Sequence, residues 1–238
     1  MPLALITGAS LGLGYELAGA LADDGWDLIL DARRKGPLEA AAARFASRTG
    51  VVVIAGDVAD EAHRTALVSV VAARGDLDLL VHNASTLGPS PLPALVDLPA
   101  AEFARILAVN VQAPLALTVA LLPALRAARG TVLGISSDAA VEHYPGWGGY
   151  GAAKAALDHL QGTLAVENPD LHVYSVDPGD MRTAMHQAAF PDEDISDRPL
   201  PATVVPALLR LIGERPASGR YRAADWPPPA TSAPWMSA

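Results

Sequence analysis

The chain has 238 residues, of which 51% are hydrophobic and 18% are charged, and its formal net charge is −9 at pH 7. This length is enough for one large domain with a sizeable core, and the acidic balance opposes non-specific binding to nucleic acid or to an anionic membrane. The sequence contains no cysteine, which excludes disulfides and thiolate metal ligands and makes the cytoplasm the expected compartment.

Short apolar runs alternate with segments of helical periodicity along the chain. The apolar runs are typical of buried parallel strands, and they predict strands over 3–7, 27–33, 51–55, 77–81, 131–136, 171–176 and near 220–221. The segments between them predict helices over 15–22, 37–48, 60–74, 100–128, 151–165 and 202–212. Two prolines, Pro114 and Pro123, are expected to bend or break the long helix.

This alternation, at steps of about 25 residues, predicts an α/β fold with a doubly wound parallel sheet. We expect a single Rossmann-type domain over 1–223, with about seven strands and helices on both faces, followed by an extended tail over 224–238. The longest apolar stretch, 113–125, holds two prolines and is shorter than a membrane span. No basic segment precedes the first strand, so no signal peptide is expected, and the six histidines show no zinc-ligand spacing, so we expect no metal.

A glycine-rich turn follows the first predicted strand. Residues 7–14 read Thr-Gly-Ala-Ser-Leu-Gly-Leu-Gly, and a helix is predicted directly after them. Between a strand and a helix, such glycines let the backbone approach a pyrophosphate, while the helix N-terminus offers free N–H groups. The spacing G-x-x-x-G-x-G differs from the dinucleotide fingerprint G-x-G-x-x-G, so the turn alone does not identify the ligand.

Tyr150 and Lys154 are four residues apart in a predicted helix, which places their Cβ atoms about 5–6 Å apart on one face. A nearby ammonium favours the phenolate, so the pair could act as a general acid or base. Ser137 follows the strand predicted over 131–136, at the carboxyl end, where open α/β sheets bind their ligands. Because Y-x-x-x-K also occurs by chance on helices, the remaining motifs decide its meaning.

Together and in this order, these motifs resemble the short-chain dehydrogenase/reductase family over nearly the whole chain. The resemblance adds three dipeptides. It implies that residues 57–58 contact the adenine ring and that residues 178–179 contact the nicotinamide. Residues 83–84 match most of the family's N-N-A-G motif at the end of a strand. It implies a catalytic tetrad of Asn110, Ser137, Tyr150 and Lys154. The implied cofactor-binding residues are Thr7, Gly8, Ser10, Gly12, Leu13, Gly14, Arg33, Arg34, Asp57, Val58, Asn83, Ala84, Tyr150, Lys154, Pro178, Gly179 and Thr183.

The residues that follow the second strand indicate which dinucleotide is bound. By the resemblance, Ala32 falls where NAD-using members place a ribose-binding aspartate, and Arg33 and Arg34 follow at the positions that pair with a 2′-phosphate. Asp31 lies one residue too early and is expected to point to the other side of the strand. A guanidinium binds phosphate bidentately and a carboxylate repels it, so we predict NADP(H), with NAD(H) as the alternative.

The resemblance implies an oxidoreductase that moves a hydride between nicotinamide and a small carbonyl or secondary-alcohol substrate. Tyr150 would exchange the proton, and Lys154 would lower its pKa and hold the ribose. Ser137 would polarise the carbonyl, and Asn110 would hold a water linking Lys154 to solvent. A catalytically silent nucleotide-sensing protein of the same fold is the alternative. Ser85 replaces the last glycine of the family's N-N-A-G strand end, which is expected to alter the cofactor edge.

Segment 180–200 lies where the family has its substrate loop, and its acidic end is predicted to be a surface or a lid. His143, Tyr144 and Trp147 are predicted to line the substrate cavity. The Asp-Met-Arg-Thr sequence of 180–183 is similar to that of sepiapterin reductase-like members. The resemblance also implies a homodimer or a homotetramer, paired through the helices that carry Asn110 and Tyr150.

Overall fold

The computed structural model of the chain describes residues 1–226 and contains one sheet of seven parallel strands. The strands are β1 Leu3–Ile6, β2 Asp27–Ala32, β3 Val51–Ala55, β4 Leu79–His82, β5 Thr131–Ile135, β6 His172–Asp177 and β7 Gly219–Arg222. Their order across the sheet is β3-β2-β1-β4-β5-β6-β7. The order reverses between β1 and β4, so a crevice opens at the carboxyl ends of these two strands. The predicted α/β fold is confirmed.

Eight α-helices of the described chain cover both faces of the sheet. They are α1 Gly12–Asp23, α2 Lys35–Phe45, α3 Glu61–Arg74, α4 Ala100–Leu107, α5 Ala113–Ala128, α6 Gly148–Glu167, α7 Ala184–Ala189 and α8 Val205–Glu214. On one face Leu17 and Leu208 pack with Leu30 in the core beneath α1, α2 and α8. On the other, Leu67 and Leu121 belong to the core beneath α3 and α5. Because both faces are covered, the central strands β1, β4 and β5 are fully buried and mostly apolar.

The predicted helix over 100–128 is continuous, and its prolines do not break it. A π-helical turn, Ala108–Gln112, joins α4 to α5; Pro114 then lies in the first turn of α5 and Pro123 lies inside that helix. Each proline lacks the N–H that a helical hydrogen bond needs, and the packing of Leu117, Leu121 and Leu125 in the core keeps the helix continuous. By length and composition Ala100–Ala128 could span a membrane, contrary to the expectation, and 44% of its apolar window is buried inside the protein.

Two other segments differ from expectation. Segment 180–200 contains a helix, α7, which begins after Thr183, whose hydroxyl accepts from the N–H of His186 at 3.1 Å. Residues Ala223–Asp225 form a short 3₁₀ turn, so the chain is not extended from 224 onward. The rest of the predicted tail, 227–238, lies outside the described residues.

Gly14→Ala is expected to lower the free energy of unfolding by roughly 1–3 kcal/mol through overpacking. A Cβ at this position would lie 2.5 Å from Asn83 Nδ2 and 2.7 Å from the Gly8 oxygen, so the turn before it would have to shift. Gly162→Ala in α6 is the matched control. Among the described residues, no atom outside its own stretch of helix lies within 4 Å of its Cβ position, so stability should rise by up to about 1 kcal/mol. Urea unfolding measures both; a Gly14→Ala protein as stable as the wild type would contradict this packing.

Candidate active site

The turn between β1 and α1 allows a ligand to approach the backbone closely. Gly8 and Gly12 have φ values of 69° and 60°, a region that favours glycine. A Cβ at Gly8 would lie 2.8 Å from Asn83 Nδ2 and 2.9 Å from the Cα of Ala84. Among the described residues, no side chain caps the N-terminus of α1. Its free N–H groups can therefore bind an anion.

Side chains of Thr7 and Asn83 join the end of β1 to the end of β4. Asn83 Nδ2 donates to the main-chain oxygens of Thr7 and Gly8, both at 3.0 Å. The Thr7 hydroxyl accepts from the N–H groups of Asn83 and Ala84, both at 3.1 Å. Thr7 and Gly14 are buried behind the turn, so they support its shape while their neighbours line the cavity.

Two arginines and a carboxylate lie at the end of the cavity near β2 and β3. Arg33 and Arg34 are exposed, and Asp57 accepts from the N–H of Ala59 at 2.9 Å while pairing with Arg105 of α4. Burial alone would raise the pKa of Asp57, but its hydrogen bond from Ala59 and the nearby guanidinium groups hold that pKa below its ordinary value. Asp57 is therefore ionised at neutral pH.

The carboxylate of Asp31 has a different partner. It lies 2.6 Å from Nε2 of His63 on α3, whereas Ala32 packs in the core beneath α1 and α2. The two side chains point to opposite faces of β2, as expected for neighbouring strand residues. Although Asp31 borders the cavity, its charge is directed towards α3 and away from the face of Ala32.

Helix α6 places Tyr150 and Lys154 at the carboxyl end of β5. The helix starts close to the preceding turn, since a Cβ at Gly151 would lie 2.5 Å from the Ala139 oxygen. The Lys154 ammonium donates to the main-chain oxygen of Ile135 at 2.7 Å and lies 5.4 Å from the centre of the Tyr150 ring. Both side chains are buried, so the pair forms the inner wall of the cavity.

Ser137 follows β5 directly and precedes a short 3₁₀ turn, Asp138–Ala140. Its hydroxyl accepts from the N–H of Ala139 at 3.2 Å and lies 2.9 Å from a carboxylate oxygen of Asp138, to which it donates. These contacts hold the hydroxyl on the same cavity wall as Tyr150.

Burial controls the proton affinity of both members of the pair. It raises the pKa of the Tyr150 phenol above its ordinary value, and the hydroxyls of Ser85 and Ser137 oppose this only in part. It lowers the pKa of Lys154 to about 8, with Asp158 acting in the other direction. Desolvation of the phenolate is therefore the larger effect on the pKa of Tyr150 in the protein alone. The expectation that Lys154 lowers this pKa stays a prediction.

Asn110 lies in the π-helical turn and is 1% exposed. Its Oδ1 accepts from the Ser85 hydroxyl at 2.8 Å and from the N–H of Thr86 at 3.1 Å, and its Nδ2 donates to the Thr86 oxygen at 2.8 Å. The side chain therefore holds the loop after β4 in place. Its role in holding a water beside Lys154 stays a prediction.

The ring of Trp147 lines the cavity beyond the phenol. The Trp147 ring centre lies 5.7 Å from that of Tyr150 and 6.0 Å from that of Phe190, which follows α7. His143 and Tyr144 are exposed and do not line the cavity. Of the three residues predicted for this wall, the structure places Trp147 there and the other two outside.

One cavity of about 640 Å³ joins these parts. The residues expected from the sequence that line it are Gly8, Ser10, Gly12, Leu13, Arg33, Arg34, Asp57, Val58, Asn83, Ala84, Ser137, Tyr150, Lys154, Pro178, Gly179 and Thr183. Sequence reasoning missed four polar lining residues: Ser136, Asp138, Asp177 and Arg105. The first three could have been found, because they lie at the carboxyl ends of β5 and β6, whereas Arg105 lies on α4, whose orientation depends on packing.

The short chain dehydrogenase family model matches residues 2–194. The chain therefore belongs to this family, whose members are oxidoreductases, and the resemblance inferred from the motifs is confirmed. It is 33% identical to the uncharacterized oxidoreductase YciK of Escherichia coli over 219 residues, 88% of this chain and 85% of that protein. It is 36% identical to the sepiapterin reductase of Rattus norvegicus over 199 residues, 78% of this chain and 76% of that protein.

Solved structures of the family share the whole architecture. A short chain dehydrogenase from Pseudomonas syringae matches with a TM-score of 0.87 at 31% identity, covering 93% of this chain and 94% of that one. A short chain dehydrogenase from Escherichia coli CFT073, solved in complex with NADPH, matches with a TM-score of 0.85 at 30% identity, covering 93% and 96%.

Lys154→Met is expected to raise the free energy of unfolding at neutral pH by up to about 3 kcal/mol. The pKa of Lys154 falls from an ordinary 10.5 to about 8 on folding, so the buried charge costs stability at every pH below about 8. That cost fades as the pH rises towards 10.5, because both states then release the proton. Urea unfolding at neutral pH and at about pH 10 measures the difference.

Lys35→Met is the control, because this side chain is 76% exposed and its loss should give no such pH dependence. A gain from Lys154→Met that is equal at the two pH values would contradict the buried-charge explanation.

Proposed function

We propose that the chain is an NADP(H)-dependent oxidoreductase that transfers a hydride between nicotinamide and a carbonyl compound or secondary alcohol. The observation that carries the proposal is the placement of Tyr150 and Lys154 in the same cavity as the glycine turn after β1. The two exposed arginines after β2 and the NADPH complex of the Escherichia coli CFT073 relative support the choice of cofactor.

The residues present fit a phosphorylated dinucleotide. The glycine turn and the free N–H groups of α1 would bind the pyrophosphate. Arg33 and Arg34 would bind the 2′-phosphate bidentately, and Asp57 and Val58 would contact the adenine ring. Pro178–Gly179, with the nearby Thr183, would hold the nicotinamide. When bound, the nicotinamide supplies or accepts the hydride.

Tyr150 would give its proton to the substrate oxygen during reduction and take it back during oxidation. A phenol with a raised pKa keeps its proton until negative charge develops on that oxygen, as a general acid must. The Lys154 ammonium would then stabilise the phenolate. Ser137 would donate a hydrogen bond to the same oxygen, which places a fixed dipole where the charge forms.

The ring of Trp147, which lines the cavity, favours a substrate with an apolar body next to its carbonyl group. We further propose that the chain forms a homodimer or homotetramer through α4, α5 and α6. Leu115 and Val119 of α5 are 44% and 59% exposed, and a second copy would cover them.

The cytoplasm stays the proposed location, because the sequence has no cysteine.

The cofactor preference predicts that kcat/KM for NADPH exceeds that for NADH. Arg33→Asp should reverse this order, lowering the NADPH value by roughly 10- to 100-fold, since a charge-assisted contact to the phosphate is replaced by repulsion. Steady-state rates with both cofactors measure the ratio. Arg44→Asp on α2, which makes the same charge change outside the cavity, should leave it unchanged. A wild-type ratio below one would refute the NADP(H) assignment.

Tyr150→Phe should lower kcat by roughly 10²- to 10⁴-fold, because the general acid is lost, while the Kd for NADPH stays nearly constant. Absorbance of reduced nicotinamide, followed with a panel of ketones, aldehydes and diketones, gives the rates. Tyr144→Phe is the matched control, since that hydroxyl is exposed and donates to Asp138. Retained activity in Tyr150→Phe would defeat the assigned role. Tight NADPH binding without turnover by the wild type on any substrate would favour the nucleotide-sensing alternative.

A further inference from the structure

Arg220, on the edge strand β7, connects three polar groups behind the active site. Its Nε donates to Asp158 Oδ2 at 3.0 Å, and its Nη2 donates to the main-chain oxygen of Ser137 at 2.9 Å. The same nitrogen lies 3.8 Å from Asp177 Oδ2. One guanidinium therefore links β7 to α6 and to the carboxyl ends of β5 and β6. Its planar fork suits several contacts at once.

Asp158 lies one helical turn after Lys154, on the same face of α6. Its side chain is 14% exposed, and its Oδ2 also accepts from the Ser136 hydroxyl at 2.8 Å. Its Oδ1 is buried and has no hydrogen-bond partner among residues 1–226. A carboxylate at this depth is poorly screened by water, so its charge acts on the neighbouring ammonium through space.

Other charged or titratable groups surround the Tyr150–Lys154 pair. His82 faces it from β4, Asp138 from the turn after β5 and Asp177 from β6. His82 is neutral at physiological pH, because burial and the Lys154 ammonium lower its pKa to about 3. Asp158 is the carboxylate that opposes the effect of burial on Lys154.

We propose that Asp158 and Arg220 form a positioning pair for the active site: Arg220 fixes Ser137 and the end of β6 by direct contact, and Asp158 keeps Lys154 charged. The negative charge of Asp158 stabilises the Lys154 ammonium, and the positive charge of Arg220 partly cancels that effect. The two members of the pair therefore act on the ammonium in opposite directions. The catalytic part of this proposal rests on the proposed function, whereas the electrostatic part can be tested without turnover.

The sequence contains only two lysines, Lys35 and Lys154, so Lys154 can be titrated directly. In Lys35→Arg protein labelled with ¹³Cε-lysine, a single NMR signal reports the ionisation of Lys154 as the pH is raised, with no ligand added. The midpoint is expected near 8. Asp158→Asn should lower it by roughly half to one pH unit, because a negative charge is lost and the Arg220 charge is left unbalanced.

Arg220→Gln should raise the midpoint by a similar amount, because the full charge of Asp158 then acts on Lys154. A purely structural role gives another pattern, since loosening the site would move Lys154 towards the ordinary value of 10.5 in both variants. Opposite shifts therefore support the pair. An unchanged or raised midpoint in Asp158→Asn, or an unchanged or lowered one in Arg220→Gln, would overturn it. Arg222→Gln, exposed on the same strand, should give no shift.

Kinetics test the contact with Ser137. With NADPH and an accepted ketone, Arg220→Gln should lower kcat roughly tenfold and change KM less than about twofold, since a misplaced hydroxyl weakens transition-state stabilisation more than binding. Arg220→Lys keeps the cation beside Asp158 and should recover part of kcat. A wild-type kcat in Arg220→Gln would overturn the positioning of Ser137. A wild type without any turnover would instead count against the proposed function, and the NMR midpoints would still decide the electrostatic claim.

Discussion

The active site depends on one buried charge, the ammonium of Lys154. Removing an ammonium from water is costly, and here that cost appears as a pKa lowered to about 8. The chain offsets part of it with a hydrogen bond to the Ile135 oxygen at 2.7 Å and with the charge of Asp158. The ammonium lies 5.4 Å from the centre of the Tyr150 ring, in a place that water hardly reaches. Because the charge is poorly screened there, it stabilises a forming phenolate more than it would in water.

The strand order brings the binding and reacting parts of the cavity together. In a parallel sheet all carboxyl ends meet at one edge, and β1, β4, β5 and β6 are consecutive neighbours. Gly8, Asn83, Ser137 and Asp177, which are far apart in the sequence, therefore line the same cavity. The Thr7–Asn83 hydrogen bonds hold the crevice between β1 and β4 in a fixed shape. The proposed cofactor site and the Tyr150–Lys154 pair are thus parts of one rigid edge.

Much of this arrangement was predictable, because strands buried on both faces are continuous apolar runs. The strand expected over 3–7 contains β1, whose four residues are all buried. The four-residue spacing likewise predicted that Tyr150 and Lys154 share a face. Contacts between elements were not predictable, since packing determines them. The partners of Asn110 and the link from Arg220 to Ser137 are examples. The raised pKa of Tyr150 was not predictable either, because sequence spacing reveals a neighbouring charge but not the depth at which the phenol is buried.

The central claim is that the Lys154 ammonium makes the Tyr150 phenolate easier to form when the cavity is filled. It is tested most directly by titrating the Tyr150 phenol by ultraviolet absorbance in NADP⁺-saturated protein. The titration is done in the wild type and in Lys154→Met. In each case the spectrum of the same protein carrying Tyr150→Phe is subtracted. The account predicts that Tyr150 ionises at a lower pH when Lys154 is present, because an adjacent positive charge favours the anion. The same midpoint in both proteins would contradict it.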